Sequence, residues 1–151
     1  MADYDFEESL GYWLTVTTQA LHRRLAEELA PDGITYRQTH VIGWLKLRGE
    51  LSQADLARLM MIEPPTLVRI LDRMEQAGWI RRTGDPTDRR RRIVQLAPKA
   101  EPIWDRIADR ARALREAAAA GLTPAEVNQL KRLLRRVHAN LGAEESLPQP
   151  V

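Results

Sequence analysis

The sequence predicts a mainly α chain of the α+β class, six helical segments around one short β-hairpin. Three observations carry this. Apolar residues recur at three- and four-residue steps along most of the chain, behind start signals at Thr35, Ser52, Pro64 and Thr123. That period lapses only between Trp79 and Leu96, where two short apolar runs flank a turn-rich stretch. The chain has 151 residues, 44% hydrophobic and 29% charged, enough for one core without disulfide or metal staples.

The first helix is expected from about Tyr4 to Leu29, because Phe6, Leu10, Trp13, Leu14, Thr17, Leu21 and Leu25 mark one face. Pro31-Asp32-Gly33 breaks it. Thr35 and Gln38 have the spacing of a capping box and open a second helix through Val41, Ile42 and Leu45, which Gly49 ends. Ser52 and Asp55 begin a short third helix. Pro64-Pro65 begins a fourth, since proline is at home only in a first helical turn. Leu67, Ile70, Leu71 and Met74 face inward from it, and Ala77-Gly78 stops it.

Trp79-Ile80 and Ile93–Leu96 favour strands, joined by a long basic tip. From about Pro98 the helical period returns, with Ile103, Ile107, Ala111 and Leu114 on one face until Gly121. Thr123-Pro124-Ala125-Glu126 combines a cap, a first-turn proline and a reciprocal glutamate. Val127, Leu130, Leu134, Val137 and Leu141 follow as a seam of coiled-coil spacing.

The net charge of +2 conceals an asymmetry. Ile34–Lys99 holds 13 basic and 7 acidic residues, a balance of +6, while the remainder holds 10 and 14, a balance of −4. Of the 23 basic residues 20 are arginine, whose forked donors suit phosphate and guanine. There is no cysteine, which excludes disulfides, thiolate metal sites, iron–sulfur clusters and thiol redox switches. No apolar run reaches the ~18 residues of a spanning helix, and the start MADYDFEESL is acidic, so a cytoplasmic protein without a membrane partner is expected.

Two short helices and a basic two-stranded hairpin, in that order, make a winged helix-turn-helix. The fourth helix has its N-terminus free for a major groove, and Arg69, one turn in, can place two donors on guanine. The hairpin tip, Arg81 to Arg92, sets six arginines against two aspartates and offers them to phosphates or a narrow minor groove. Asp88 is expected to structure this wing by pinning neighbouring guanidinium groups. The competing readings are a solvated charged face for the tip and a surface ion pair of Arg69 with Asp72 or Asp88. The stripes Phe6–Leu29 and Val127–Leu141 exceed what a small winged domain covers, so a second chain is expected to bury them.

At this point the sequence resembles the MarR family of transcription regulators, and within it the SlyA-like branch. The resemblance spans about Leu10 to Leu141. It rests on Ile62–Arg69, Leu71–Gly78, Asp88-Arg89-Arg90 and Leu96–Ala100. It implies a homodimer with interlocking terminal helices straddling a pseudo-palindromic operator in double-stranded DNA, and repression as the commoner mode. Carried onto matching positions, base contacts fall to Pro65, Thr66 and Arg69, and wing contacts to Arg89 and Arg90, with Arg91 and Arg92 beside them. Pro64 departs from a position that is often polar, and Thr87 stands where arginine is frequent. The expected organisation is one domain over 1–151: a winged core at 34–97, dimerisation helices at 4–30 and 98–142, and a frayed tail at 143–151.

The family also implies an effector cleft near the first two helices, for a small aromatic or phenolic acid. Trp13, Tyr36, His40 and Trp44 are the candidate lining residues, with His40 or Arg37 able to pair a carboxylate; the alternative is that they are ordinary core. His22 and His138 show no ligand spacing with His40, so no metal is expected. No P-loop, GxGxxG or nucleophile motif stands out, so no catalytic residue, cofactor or enzymatic activity is expected. Two other functions remain open on the residues alone, a non-specific architectural DNA binder and a dimeric protein-interaction module.

Overall fold

Ser9 starts the first helix. Its hydroxyl accepts the N–H of Tyr12 at 3.1 Å, and α1 runs Leu10–Leu29 in the computed structural model, which describes residues 5–88 and 90–142. The helix therefore begins later than its apolar period suggests. Phe6 keeps the period, but the Ser9 N–H bonds back to the Phe6 carbonyl at 3.2 Å and the Phe6 ring meets Tyr12 edge-on. Serine competes for backbone hydrogen bonds and so favours a cap over a helix interior. Tyr4, Arg89 and the expected tail at 143–151 lie outside the described residues.

The chain forms two compact units, 1–114 and 115–151. In the first, α1 passes into a 3₁₀ turn, Ala30–Asp32, that ends at Gly33 with φ +68°, a backbone state that glycine tolerates without strain. Thr35 and Gln38 make both bonds of the capping box and open α2, Tyr36–Arg48. β1 (Leu51–Ser52) precedes α3 (Gln53–Met60), where Ser52 accepts the Asp55 N–H. After the turn at Met61–Glu63, α4 spans Pro64–Gln76 with both prolines in its first turn. β2 (Ile80–Gly84) and β3 (Arg92–Leu96) form the hairpin. A second 3₁₀ turn at Pro98–Ala100 leads into α5, Glu101–Ala118.

The sheet has three antiparallel strands in the order β1-β3-β2, with Leu51 opposite Val94 and Arg82 also opposite Val94 from the other side. β1 has no counterpart in the sequence reading. Two residues are too few to show a period of two, and only the edge of β3 makes them a strand. Leu29, Ile42, Leu56, Leu67, Leu71, Met74, Ile80 and Val94 are fully buried and draw α1 through β3 into one core. Each such side chain contributes roughly 1.5–3 kcal/mol. Ile103 and Ile107 of α5 join the same cluster.

In the second unit α6 spans Pro124–Asn140 behind a complete Thr123–Glu126 capping box. None of its residues is buried. Leu130 is 49% exposed, Leu134 41% and the flanking Leu141 76%. Among the described residues no helix is long and apolar enough to cross a membrane.

Candidate nucleic-acid interface

α4 turns Leu67, Leu71 and Met74 into the core, which leaves Pro65, Val68, Arg69, Arg73 and Gln76 exposed on its other side. Thr66 is half-buried at the edge of that face. Arg69 has no ion-pair partner among the described residues, because Asp72 is taken by Arg82 instead. Arg69 and Arg73 stand one turn apart and face Arg37 across a groove of about 440 Å³, lined also by Thr35, Tyr36, Thr66 and Ile70. Arg37 was expected only as a carboxylate partner in the effector cleft, and Arg73 was not among the expected site residues. The four-residue step from Arg69 to Arg73 was the available signal.

The wing is closed from within. The Asp85 N–H donates to the Arg91 carbonyl at 3.0 Å and the Arg91 N–H to the Asp88 carbonyl at 2.9 Å. Asp85 organises the tip: its carboxylate accepts the Thr87 N–H at 2.8 Å and the Thr87 hydroxyl at 2.7 Å, and these bonds hold its pKa below the usual aspartate value. Among the described residues Asp88 acts on backbone, its carboxylate accepting the Arg90 N–H at 2.9 Å. An aspartate two residues ahead of a free N–H closes such a turn on itself.

The six wing arginines divide by role. Arg82 is about four-fifths enclosed and bound to α4 through Asp72 and Glu75. Arg91 reaches Asp55 of α3 at 3.3 Å and Asp85 at 3.7 Å. Arg81, Arg90 and Arg92 are exposed without an ion pair among the described residues, and Arg89 lies outside them. Arg90, Arg91 and Arg92 line a groove of about 250 Å³ with Ser52, Gln53, Ala54, Pro64 and Leu67, where wing, α3 and the start of α4 converge. The basic surface expected from composition is thus real, but two of its arginines are already neutralised.

Of the four aromatic candidates, Tyr36 and His40 come together, with ring centroids 4.3 Å apart. His22 of α1, set aside for want of ligand spacing, joins them 4.1 Å from Tyr36. Proximity across two helices leaves no trace in residue spacing. Burial raises the Tyr36 pKa, while burial and then the charge of His22 lower that of His40 from 6.5. Trp13 sits apart, 58% exposed and edge-on to Tyr12, roughly 13 Å along α1 from His22. Trp44 packs against the core, about 12 Å along α2 from Tyr36. No group of three or more histidine, aspartate or glutamate side chains among the described residues could hold a metal ion.

Comparison with known proteins agrees with this architecture. The MarR family profile matches residues 34–91, the stretch from α2 to the wing tip. The multiple antibiotic resistance protein MarR of Salmonella typhimurium is 30% identical over 129 residues, 85% of this chain and 90% of that protein. Among solved structures, a mutant Escherichia coli MarR in complex with operator DNA aligns with TM-score 0.79 at 27% identity, covering 89% of this chain and 99% of that one. Bordetella bronchiseptica BpsR, solved in a study of how 6-hydroxynicotinic acid regulates its DNA binding, aligns with TM-score 0.78 at 25% identity, covering 89% and 96%. The chain belongs to the MarR family and is a DNA-binding transcription regulator.

Proposed function

We propose that this protein is a sequence-specific homodimeric repressor in the cytoplasm, released from its operator by a small aromatic or phenolic acid. The observation that carries the reading is the free Arg69 on the exposed face of α4, held by a helix whose opposite face is core. In this reading Pro65, Thr66 and Arg69 meet base edges in the major groove, and Arg89, Arg90 and Arg92 meet phosphates, with Arg91 contributing less because of its aspartate partners. Asp88 shapes the wing that presents them.

The homodimer is supported by the apolar surfaces at both ends, Leu10 and Trp13 on α1 and Leu130, Leu133 and Leu134 on α6, all at least 40% exposed in the single chain. Two copies of α4 would then meet half-sites one turn apart, ~34–36 Å. The effector reading draws on Tyr36 and His40, with His22 beside them, rather than on Trp13 or Trp44. The BpsR relative, regulated by an aromatic acid, supports the ligand class. Without cysteine no thiol oxidation can serve as the signal. The SlyA-like branch rests on the motif stretches alone, and 1–151 is read as one functional domain.

Footprinting on the DNA beside its own gene tests the reading. The expected result is one protected, pseudo-palindromic site that is lost when hydroxylated aromatic acids are added. Diffuse protection would point to an architectural DNA binder, and no protection to a protein-interaction module. Either would overturn the proposal.

A further inference from the structure

Arg82 sits in the middle of β2, two residues beyond the buried Ile80 and therefore on the same face of the strand. That face looks onto α4. The Arg82 N–H donates to Glu75 Oε1 at 2.9 Å, its Nε to Glu75 Oε2 at 3.0 Å, and its Nη2 to Glu75 Oε2 at 2.6 Å and to Asp72 Oδ1 at 2.7 Å. Four bonds thus join one wing residue to two carboxylates, three residues apart, on the recognition helix. The guanidinium side chain is 19% exposed, so these donors are spent inside the protein. Charge-assisted bonds in a forked geometry are among the more directional contacts available to a surface arginine.

We propose that Arg82 is a positioning residue for DNA recognition. It acts through Glu75 and Asp72 to hold the wing at one angle to α4, so that Arg69 and the free wing arginines meet the duplex in one register. The proposal rests on the reading of α4 and the wing as the DNA-contacting elements. Its signature is a reversal of sign. Glu75→Gln removes a negative charge from a basic region, which by electrostatics alone tightens DNA binding. Loss of the clamp weakens it.

The test measures fluorescence anisotropy of the full chain on its footprinted site across a salt series, for wild type, Glu75→Gln, Arg82→Gln and the charge swap Arg82→Glu with Glu75→Arg, each first shown folded by its melting curve. Glu75→Gln and Arg82→Gln are each expected to weaken the site by about tenfold or more. Arg82→Gln is expected to leave the salt slope unchanged, whereas Arg90→Ala lowers it by about 0.9, the value of one phosphate contact. The swap should recover part of the loss.

Tighter or unchanged binding by Glu75→Gln would overturn the positioning role. So would a slope lowered by Arg82→Gln, which would make Arg82 a phosphate contact. A loss of thermal stability with DNA affinity intact would reduce Arg82 to a structural brace and overturn the role as well. Absence of any site for the wild type would overturn the functional reading itself, which the variants alone cannot do.

Discussion

The imidazole of His22 lies over the phenol ring of Tyr36, with 4.1 Å between centroids and 34° between planes. His40 closes the group from the next turn of α2, and its pKa is held below 6.5 by burial and by His22. In the window below 6.5 the unfolded chain takes up this proton before the folded one does. The contribution of His40 to stability is therefore complete above 6.5 and declines as pH falls through the folded value. Wild type should lose more melting temperature than His40→Gln between about pH 7.5 and about pH 5. Parallel losses would show that His40 does not titrate as stated.

Arg69 tests base reading. Arg69→Ala should cost ~1–3 kcal/mol at the cognate site and relax preference at one base pair. Equal losses on cognate and random DNA, measured in parallel titrations, would assign Arg69 to a phosphate instead.

The wing arginines should separate by their partners. Arg90→Ala should lower the salt slope by about 0.9. Arg91→Ala should lower it less, because Asp55 and Asp85 already neutralise that guanidinium. The reverse order would mean that DNA draws Arg91 away from both aspartates.

Leu134 tests the assembly. Leu134→Glu places a charge in the seam of α6 and should weaken the dimer by about 2 kcal/mol or more. Sedimentation velocity over a dilution series reads the change. An unaltered dimer would exclude this seam from the interface.

Met61 ends α3 in the left-handed region, φ +51°, while 89% exposed. A non-glycine residue there carries roughly 1–3 kcal/mol of strain. Part of the relief gained from glycine is offset by greater freedom of the unfolded chain, about 0.4–1 kcal/mol. Met61→Gly should therefore raise stability by up to about 2.5 kcal/mol in urea melts, after that offset. A lower midpoint would mean that the methionine side chain stabilises the turn.

Much of the fold was legible because its signals are local. Thr35 with Gln38, Thr123 with Glu126, and Pro64-Pro65 each start a helix at the expected residue, since a cap or a first-turn proline acts within one turn. Where two local signals competed, as Phe6 with Ser9, the periodic one misled. The two-residue strand β1 was invisible because its strand character is conferred by β3. The candidate site was legible in outline on the same terms. Arg69 could be placed by its position in α4, but the partner of Asp72 could not.

The sequence alone thus determined where the helices begin, which face of α4 is apolar, and that the basic charge gathers between Ile34 and Lys99. These follow from spacing, caps and composition, which act over a few residues or none. Tertiary structure alone decided which arginines remain free. Arg82 and Arg91 are as basic in the sequence as Arg90, yet the folded chain brings Glu75 and Asp72 to the first and Asp55 and Asp85 to the second. An ion pair depends on distance in space, and residues 36 apart in the chain, such as Asp55 and Arg91, meet only once the core has set the wing against α3.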